Sequence, residues 1–142
     1  MKNLLIPYDG SESSSRALQY ALNLPADAAP ACINLLNVQA WPMMYGEYLM
    51  AGDIQLIQDM QIAEGHKILE PAISELKKHG RDYRVQVLMG NPEQAIASQI
   101  DRLNCDHIVM GTRGLGTVKG MFLGSVAMKV VHLVTVPVTL IK

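Results

Sequence analysis

The chain has 142 residues, of which 49% are hydrophobic and 18% are charged, and its net charge is −1. This composition is typical of a soluble globular protein and excludes a disordered chain, which has few apolar residues and a high net charge. Lysine and arginine are scattered, so the basic stripe of a nucleic-acid-binding protein is missing and we expect no nucleic-acid partner. No apolar run approaches the roughly 20 residues of a membrane span, and the first residues lack a signal-peptide cleavage pattern. We therefore expect a cytoplasmic protein with no membrane partner.

Five short apolar runs along the chain predict five strands. The third run alternates apolar and polar residues, as a half-exposed strand does, and the fifth contains Pro137, which cannot donate to a strand ladder. Both features are typical of edge strands. The predicted strands are residues 3–8, 32–38, 83–89 and 107–110, and a last strand that begins at Val136 and ends at Ile141.

Four helical patterns separate these strands. The first follows Asp9-Gly10 and opens with hydroxyl residues that suit a helix N-cap. The second covers residues 54–79, with Gly80 as its stop, and Pro71 is expected to kink or split it. The third has Asn91 as its cap and Pro92 at its first position, and the fourth starts at Ser125 with Val126, Val130 and Leu133 on one face.

Strands that alternate with helices predict an α/β protein with a parallel sheet covered on both faces. We expect one domain over residues 1–142, a three-layer αβα sandwich whose five-stranded sheet has the order 3-2-1-4-5. In such sheets a ligand binds beyond the carboxyl ends of the strands where the order reverses, here between the first and fourth strands. The segments that leave those two strands are "YDGSESS" and "MGTRGLG".

The segment "MGTRGLGTVKGMFLGS", residues 110–125, holds a cluster of glycines at this reversal. Clustered glycines can turn backbone N–H groups toward an anion, and the first helical turn after them, "SVAM", contains no acidic residue. Arg113 and Lys119 could neutralise phosphates, and the alternative is a mobile surface loop with two solvated cations. The spacing matches neither a Walker loop nor a dinucleotide fingerprint. We favour an anion or nucleotide site.

Asp9 ends the first strand and is expected to face the same crevice. A carboxylate there suits a ribose hydroxyl or a base amine. The alternative is that Asp9-Gly10 makes a turn, or that Asp9 caps the following helix.

The cysteines and histidines show no spacing typical of a metal site. Cys32 and Cys105 lie in or beside apolar runs without a CxxC motif, which favours reduced, buried thiols. The four histidines form no HxxxH or His-acid motif, so we expect packed or surface histidines and assign no catalytic residue.

The glycine pattern resembles the nucleotide loop of the universal stress protein family, in the branch of small ATP-binding members. The match is Gly111-x-x-Gly114, nine further residues, and then Gly124-Ser125. Similar segments cover the full length: "IPYDGSESS", "LLNV", "GNPEQAI", "DHIVMGTRG" and "VPVTLI".

The resemblance implies a role for each matching residue. Asp9, with Pro7 and Tyr8, would border the adenine and ribose, and the backbone of Val38 would meet the adenine edge. The residues flanking the ribose and α-phosphate would be Met110, Gly111, Arg113 and Gly114. The residues holding the outer phosphates would be Gly124, Ser125 and Val126, with Ser125 also able to cap its helix.

The resemblance also implies ATP as the ligand, with magnesium bound through its phosphates, and a homodimer paired through the last strand. Two positions depart from the family pattern. Tyr8 stands where a smaller residue is usual, which makes the pocket wall bulkier, and Ala127 lacks a hydroxyl that some members use for a phosphate or metal contact.

Three functions remain open from the residues. A binding module that holds ATP is favoured over a slow ATPase or phosphotransferase, because Asp9 is the one obvious acid near the site. The third is a dimeric interaction protein that binds no nucleotide. A related nucleotide-binding fold, such as that of the ATP pyrophosphatases or electron-transfer flavoproteins, is a further alternative. The pyrophosphatases carry a Ser-Gly-Gly motif after the first strand, and "DGSESS" lacks the paired glycines. The apolar connection from Trp41 to Asp53 is either a loop packed on the domain or a partner surface or lid.

Overall fold

The structure, a computed structural model, describes residues 1–41, 50–116 and 123–142. The apolar connection after Trp41 falls largely outside these residues, as does Lys119. Within them, strands and helices alternate as the sequence predicts. The elements are β1 (Asn3–Pro7), α1 (Glu12–Leu22), β2 (Cys32–Gln39), α2 (Ala51–Lys78), β3 (Tyr83–Met89), α3 (Pro92–Leu103), β4 (His107–Gly111), α4 (Ser125–Leu133) and β5 (Val138–Ile141).

The five strands form one parallel sheet in the order β3-β2-β1-β4-β5, which confirms the predicted topology. The two halves of the sheet meet where β1 pairs with β4, with Leu5 opposite Ile108. Because all strands are parallel, their carboxyl ends lie along the same edge. The strand order reverses between β1 and β4, in the middle of the sheet.

Both faces of the sheet are covered by apolar side chains, which confirms the three-layer sandwich. Successive residues of a strand point to opposite faces, so Leu4 and Ile6 join one buried cluster and Leu5 joins the other. The first cluster includes Leu18 of α1 and residues of α2, and the second includes Ile96 of α3 and residues of α4. Helices α1 and α2 thus cover one face, and α3 and α4 cover the other.

The helix ends follow most of the sequence signals. Ser11 is the N-cap of α1, where its hydroxyl accepts a hydrogen bond from the Ser14 amide at 3.2 Å. Asn91 caps α3 in the same way through Gln94, with Pro92 at the first helical position, as predicted. The prediction that Ser125 caps α4 is wrong, because Gly124 occupies the N-cap and Ser125 is the first helical residue.

Three further predictions differ from the structure. Of the kink or split expected at Pro71, the split is wrong: α2 runs without a break, and the buried Leu69 and Ala72 near this exposed proline hold the helix to the sheet. Leu133 is the last residue of α4 and is 53% exposed, so the buried face of that helix stops at Val130. Strand β5 begins at Val138, because Pro137 has no N–H to donate and only its carbonyl joins β4.

The two cysteines lie in different environments. Cys105 is buried, and this burial raises the pKa of its thiol to about 11, which keeps it protonated. Cys32 is partly exposed, so the expectation of burial is correct for Cys105 and wrong for Cys32. Cys32 is the first residue of β2, where the sheet edge is less covered.

Within the parts of the chain that the structure describes, no helix has the length and apolar character needed to span a membrane.

Helix α2 approaches the sheet most closely at Gly65. A Cβ at this buried position would collide with Val87 Cγ1 and would lie 2.7 Å from Asn37 Oδ1, an atom already bound to Gln39. We expect Gly65→Ala to lower the free energy of unfolding by about 1–3 kcal/mol, since neither neighbour can move freely. Urea denaturation followed by circular dichroism measures this.

Gly52 in the same helix is a matched control. A Cβ there meets nothing within 4 Å, so Gly52→Ala should raise the stability by up to about 1 kcal/mol through helix propensity. Equal stabilities of the two variants would contradict the close packing of α2 on β2 and β3.

Candidate functional site

A cavity of about 510 Å³ lies at the carboxyl edge of the sheet, at the reversal between β1 and β4. Its floor is formed by the ends of β1, β2 and β4, and its walls by the first turns of α1, α3 and α4 and by the segment after β4. This volume lies in the range of pockets that hold a small ligand.

All of the site residues chosen from the sequence line this cavity. They are Pro7, Tyr8, Asp9, Val38, Met110, Gly111, Arg113, Gly114, Gly124, Ser125 and Val126. The sequence reasoning did not assign Ser14, Leu36, Pro92, Ile96, Thr112, Leu115 or Gly116 to the site, and noted Ala127 only as a departure. For Pro92 and Ile96 a signal was present, because α3 begins at the same carboxyl edge of the sheet.

Asp9 closes a turn and also lines the cavity. Its Oδ1 accepts a hydrogen bond from the Ser11 amide at 3.0 Å, which closes a turn over Gly10, whose φ is +81°. Its Oδ2 accepts one from the Leu115 amide at 3.3 Å. Two predictions for Asp9, the turn at Asp9-Gly10 and the position in the crevice, are therefore confirmed. The prediction that Asp9 caps α1 is wrong, because the N-cap is Ser11.

The segment after β4 packs tightly against the start of α1. A Cβ on Gly111 would collide with Ser13 Oγ, and a Cβ on Gly114 would lie 2.8 Å from Asp9 Oδ2. Neither glycine has a positive φ. Close approach to Ser13 at Gly111 and to Asp9 at Gly114, and not an unusual backbone conformation, is thus the physical reason for glycine at these positions.

The N-terminus of α4 faces the cavity without an acidic side chain. Gly124 is the N-cap and has no side chain with which to cap the helix, and the first turn contains no acidic residue. The Gly124 amide donates to the Thr112 carbonyl at 2.6 Å, which ties the helix start to the end of β4. The aligned peptide dipoles give this end a partial positive charge, which favours an anion.

The remaining walls are mostly apolar. Leu36, Val38 and Met110 belong to the sheet, and Ile96 of α3 packs beside them. Tyr8 borders the cavity, but its ring packs in the cluster under α1 and α2 and its hydroxyl pairs with Ser15 at 3.0 Å. Much of the extra volume of the Tyr8 side chain is therefore accommodated in the cluster under α1 and α2.

Two charged side chains, Asp9 and Arg113, are found among the described residues that line the cavity. Arg113 is exposed, and the N-terminus of α4 also lines the cavity. The lining thus combines a carboxylate, a cation and a helix N-terminus with apolar walls. A ligand that joins an apolar ring system to an anionic group fits this lining.

Histidine and acidic residues do not gather into a metal centre here. Over residues 1–41, 50–116 and 123–142, no group of three or more His, Cys, Asp or Glu side chains could hold a metal ion. His107 starts β4 at the opposite edge of the sheet, pairs with Thr139 Oγ1 at 2.8 Å, and has its pKa lowered by burial. It belongs to the sheet and not to the cavity.

Fold and site together define an α/β protein with a cavity at the reversal of its strand order. Comparison with known proteins identifies the family. The model of the universal stress protein family matches residues 1–142. The chain is 33% identical to the universal stress protein in the QAH/OAS sulfhydrylase 3′ region of Thermus aquaticus, covering 99% of this chain and 98% of that protein. It is 30% identical to universal stress protein YxiE of Bacillus subtilis, covering 98% and 97%. The chain belongs to the universal stress protein family.

Solved structures share the fold. Hypothetical protein MJ0577 has a TM-score of 0.82 at 25% identity, covering 99% of this chain and 95% of that one. A family member from Arabidopsis thaliana solved with AMP bound has a TM-score of 0.70 at 22% identity, covering 100% and 92%. A universal stress protein in complex with cAMP has a TM-score of 0.67 at 24% identity, covering 99% and 96%.

An ion pair joins the two helices on the cavity's α3–α4 side. Lys129 Nζ of α4 donates to Glu93 Oε1 of α3 at 2.7 Å, and Glu93 is only 8% exposed. The bond from Lys129 is the main reason that the pKa of Glu93 lies below its ordinary value. The pair therefore stabilises the fold at and above the ordinary glutamate pKa, and this contribution is lost as the pH falls through the lowered pKa.

We expect Glu93→Gln to lower the free energy of unfolding by about 1 kcal/mol at pH 7, with the difference from wild type shrinking as the pH falls below 4. Denaturation midpoints at several pH values measure this. Glu75→Gln is the control, because the Glu75–Lys78 pair lies within α2 on the surface. A Glu93→Gln difference that grows at acid pH would contradict the role of the ion pair.

Proposed function

We propose that this protein binds ATP, with magnesium held through the nucleotide phosphates, in the cavity between the ends of β1 and β4. The protein, a single domain over residues 1–142 in the cytoplasm, acts as a nucleotide-dependent regulatory module in a stress response. The observation that carries the proposal is the meeting, in one cavity, of an apolar wall, Asp9, Arg113 and the acid-free N-terminus of α4.

The base and ribose are assigned to the apolar side of the cavity. The walls near Val38 offer a slot for a planar ring, and the Val38 backbone lies at the end of β2 where it can meet the adenine edge. Pro7, Tyr8 and Asp9 form the adjoining wall. The Asp9 carboxylate is a suitable acceptor for ribose hydroxyls.

The phosphates are assigned to the backbone of two segments. Met110, Gly111, Arg113 and Gly114 would flank the ribose and α-phosphate. Gly124, Ser125 and Val126 form the start of α4, and we assign the outer phosphates to this turn because its N-cap is a glycine and its first turn has no acidic residue. Arg113 adds a positive charge to the cavity lining.

Members of this fold support an adenine nucleotide as the ligand. The Arabidopsis thaliana protein was solved with AMP, and another universal stress protein with cAMP. The fold thus accommodates the adenosine unit that all of these nucleotides share. ATP in particular is favoured here because the cavity continues from Gly111 and Gly114 to the start of α4, which gives room and positive potential for more than one phosphate.

A binding role is favoured over fast catalysis. Rapid phosphoryl transfer needs an oriented nucleophile and carboxylates that hold magnesium. Asp9 is the carboxylate among the described lining residues, and both of its oxygens accept backbone hydrogen bonds. Measurement of phosphate release would reveal slow ATPase activity at the same site.

Titration calorimetry with ATP, ADP and AMP, with and without Mg²⁺, tests the proposal. We expect wild type to bind ATP and Gly114→Val to bind it at least about tenfold more weakly, because the added side chain would displace Asp9 Oδ2. Gly52→Ala is the control for a glycine remote from the cavity. Phosphate release above about 1 s⁻¹ would instead favour an enzyme. No ATP binding by wild type would refute the function.

We also propose that the protein forms a homodimer through β5. This strand pairs with β4 on one side, and the Pro137 and Ile141 carbonyls accept bonds from β4 and the residue after it. Backbone groups alternate in direction along a strand, so those of Val138 and Leu140 point to the open edge. A second copy could pair there about a two-fold axis.

Two substitutions at Leu140 separate this pairing from core packing. Leu140→Pro and Leu140→Ala both lose apolar contacts, but only the proline variant loses the N–H at the open edge. We expect wild type and Leu140→Ala to sediment as dimers in analytical ultracentrifugation and Leu140→Pro as a monomer. A dimer in all three would show that β5 is not the contact.

A further inference from the structure

We propose that Asn37 is a positioning residue of the nucleotide site, whose side-chain amide sets the spacing between the adenine contact at Val38 and the ribose contact at Asp9. This inference rests on the proposed function, because both contacts belong to it. Asn37 is not among the described residues that line the cavity, so it acts through its neighbours and does not touch the ligand.

The Asn37 side chain is buried, and both polar atoms of its amide are paired. It is 2% exposed. Its Nδ2 donates to the Tyr8 carbonyl at 2.9 Å, and its Oδ1 accepts a hydrogen bond from Gln39 Nε2 at 2.7 Å. Because a carbonyl can only accept, the Tyr8 bond requires Nδ2 to face it and directs Oδ1 to Gln39. The two partners therefore hold this amide in one orientation.

The bond from Asn37 extends the link between β1 and β2 past the end of their ladder. The pairing of the two strands ends with Pro7 opposite Leu36. The Tyr8 amide then donates to the Leu36 carbonyl at 2.8 Å, which holds the peptide before Tyr8. The Asn37 side chain holds the Tyr8 carbonyl, which belongs to the peptide after it. Because the peptide group is planar, this second bond also restricts the position of the Asp9 Cα.

The two ends of this link belong to the two nucleoside contacts. Val38 follows Asn37 directly in β2, and its backbone is assigned to the adenine edge. Asp9 follows Tyr8 directly, and its carboxylate is assigned to the ribose hydroxyls. A nucleoside joins its base to its ribose by a single bond, so the two contacts act together only when their spacing is held in advance. The bond from Asn37 to the Tyr8 carbonyl holds this spacing.

The Asp9 carboxylate has further anchors, but these lead to other parts of the site. It accepts hydrogen bonds from the Ser11 amide at 3.0 Å and from the Leu115 amide at 3.3 Å. These bonds join Asp9 to the start of α1 and to the segment after β4. Neither donor belongs to β2, which carries the adenine contact. The Asn37 bond therefore supplies the register between Asp9 and β2 that those two bonds do not.

Asn37→Ala removes this bond, and Asn34→Ala is the matched control. Asn34 lies in the same strand, is also 2% exposed, and donates through its Nδ2 to another β1 carbonyl, that of Leu4, at 3.1 Å. Calorimetric titration with ATP and with 2′,3′-dideoxy-ATP, both with Mg²⁺, compares a nucleotide that has ribose hydroxyls with one that lacks them. A purely structural loss would weaken both nucleotides alike and leave the ratio of their affinities unchanged.

We expect wild type and Asn34→Ala to bind ATP at least about tenfold more tightly than 2′,3′-dideoxy-ATP, the effect of hydrogen bonds from hydroxyls to a charged acceptor. For Asn37→Ala this ratio should fall to about threefold or less, with the affinity for 2′,3′-dideoxy-ATP within about threefold of wild type. Gln39→Ala is a milder variant, which keeps Asn37 but removes the partner of its Oδ1. Its ratio should lie between those of wild type and Asn37→Ala.

An Asn37→Ala ratio equal to that of wild type would overturn the positioning role while leaving ATP binding intact. If Asn37→Ala does not fold, an unchanged ratio in Gln39→Ala has the same meaning. Equal falls in Asn34→Ala and Asn37→Ala would also overturn it, because they would reflect a general loosening of β1 against β2. Wild type that binds ATP and 2′,3′-dideoxy-ATP equally would refute the ribose contact and this role with it. Wild type that binds no ATP would refute the proposed function itself.

Discussion

The reversal of strand order between β1 and β4 is the constraint on which the rest of the structure depends. Connections between parallel strands are right-handed, so a chain that first builds the sheet in one direction and then in the other must place its helices on opposite faces. Helices α1 and α2 cover the cluster that contains Leu4, and α3 and α4 cover the one that contains Leu5. At the carboxyl edge the segments leaving β1 and β4 contact each other through Asp9 and Ser13, and the cavity lies at this reversal.

The chemistry of the site follows from how closely backbone segments approach each other there. Gly111 lets the end of β4 lie against Ser13 of α1, and Gly114 lets the following segment lie against Asp9. The Asp9 carboxylate accepts hydrogen bonds from the Ser11 and Leu115 amides. Among the described lining residues only Asp9 and Arg113 are charged, so in the proposed function the affinity for phosphates comes chiefly from oriented peptide groups and the N-terminus of α4. A site of this kind suits binding and recognition of a nucleotide better than its rapid hydrolysis. The ion pair of Glu93 with Lys129 braces the other wall.

Much of the fold could be predicted because its signals are local. Apolar runs, helical spacing and capping residues identified every strand and helix, and Pro137 marked β5 as an edge. The errors arose where tertiary packing outweighs a local signal. Pro71 does not split α2, because buried residues on both sides hold the helix to the sheet. Leu133 is exposed because α4 ends there, and Gly124 replaces Ser125 as the cap because its amide is tied to Thr112.

The sequence by itself determined the order of elements, the place of the reversal, the membership in a family through its glycine spacing, and eleven of the residues that line the cavity. Only the tertiary structure decided what those residues do to one another: that Asp9 joins two segments, that Tyr8 packs toward α1, and that Ser13 holds a carbonyl 100 residues away. The physical reason is the separation along the chain over which each interaction acts. Periodicity and capping arise from neighbours within a few residues, whereas a hydrogen bond between α1 and the segment after β4 exists only once the sheet has brought them together.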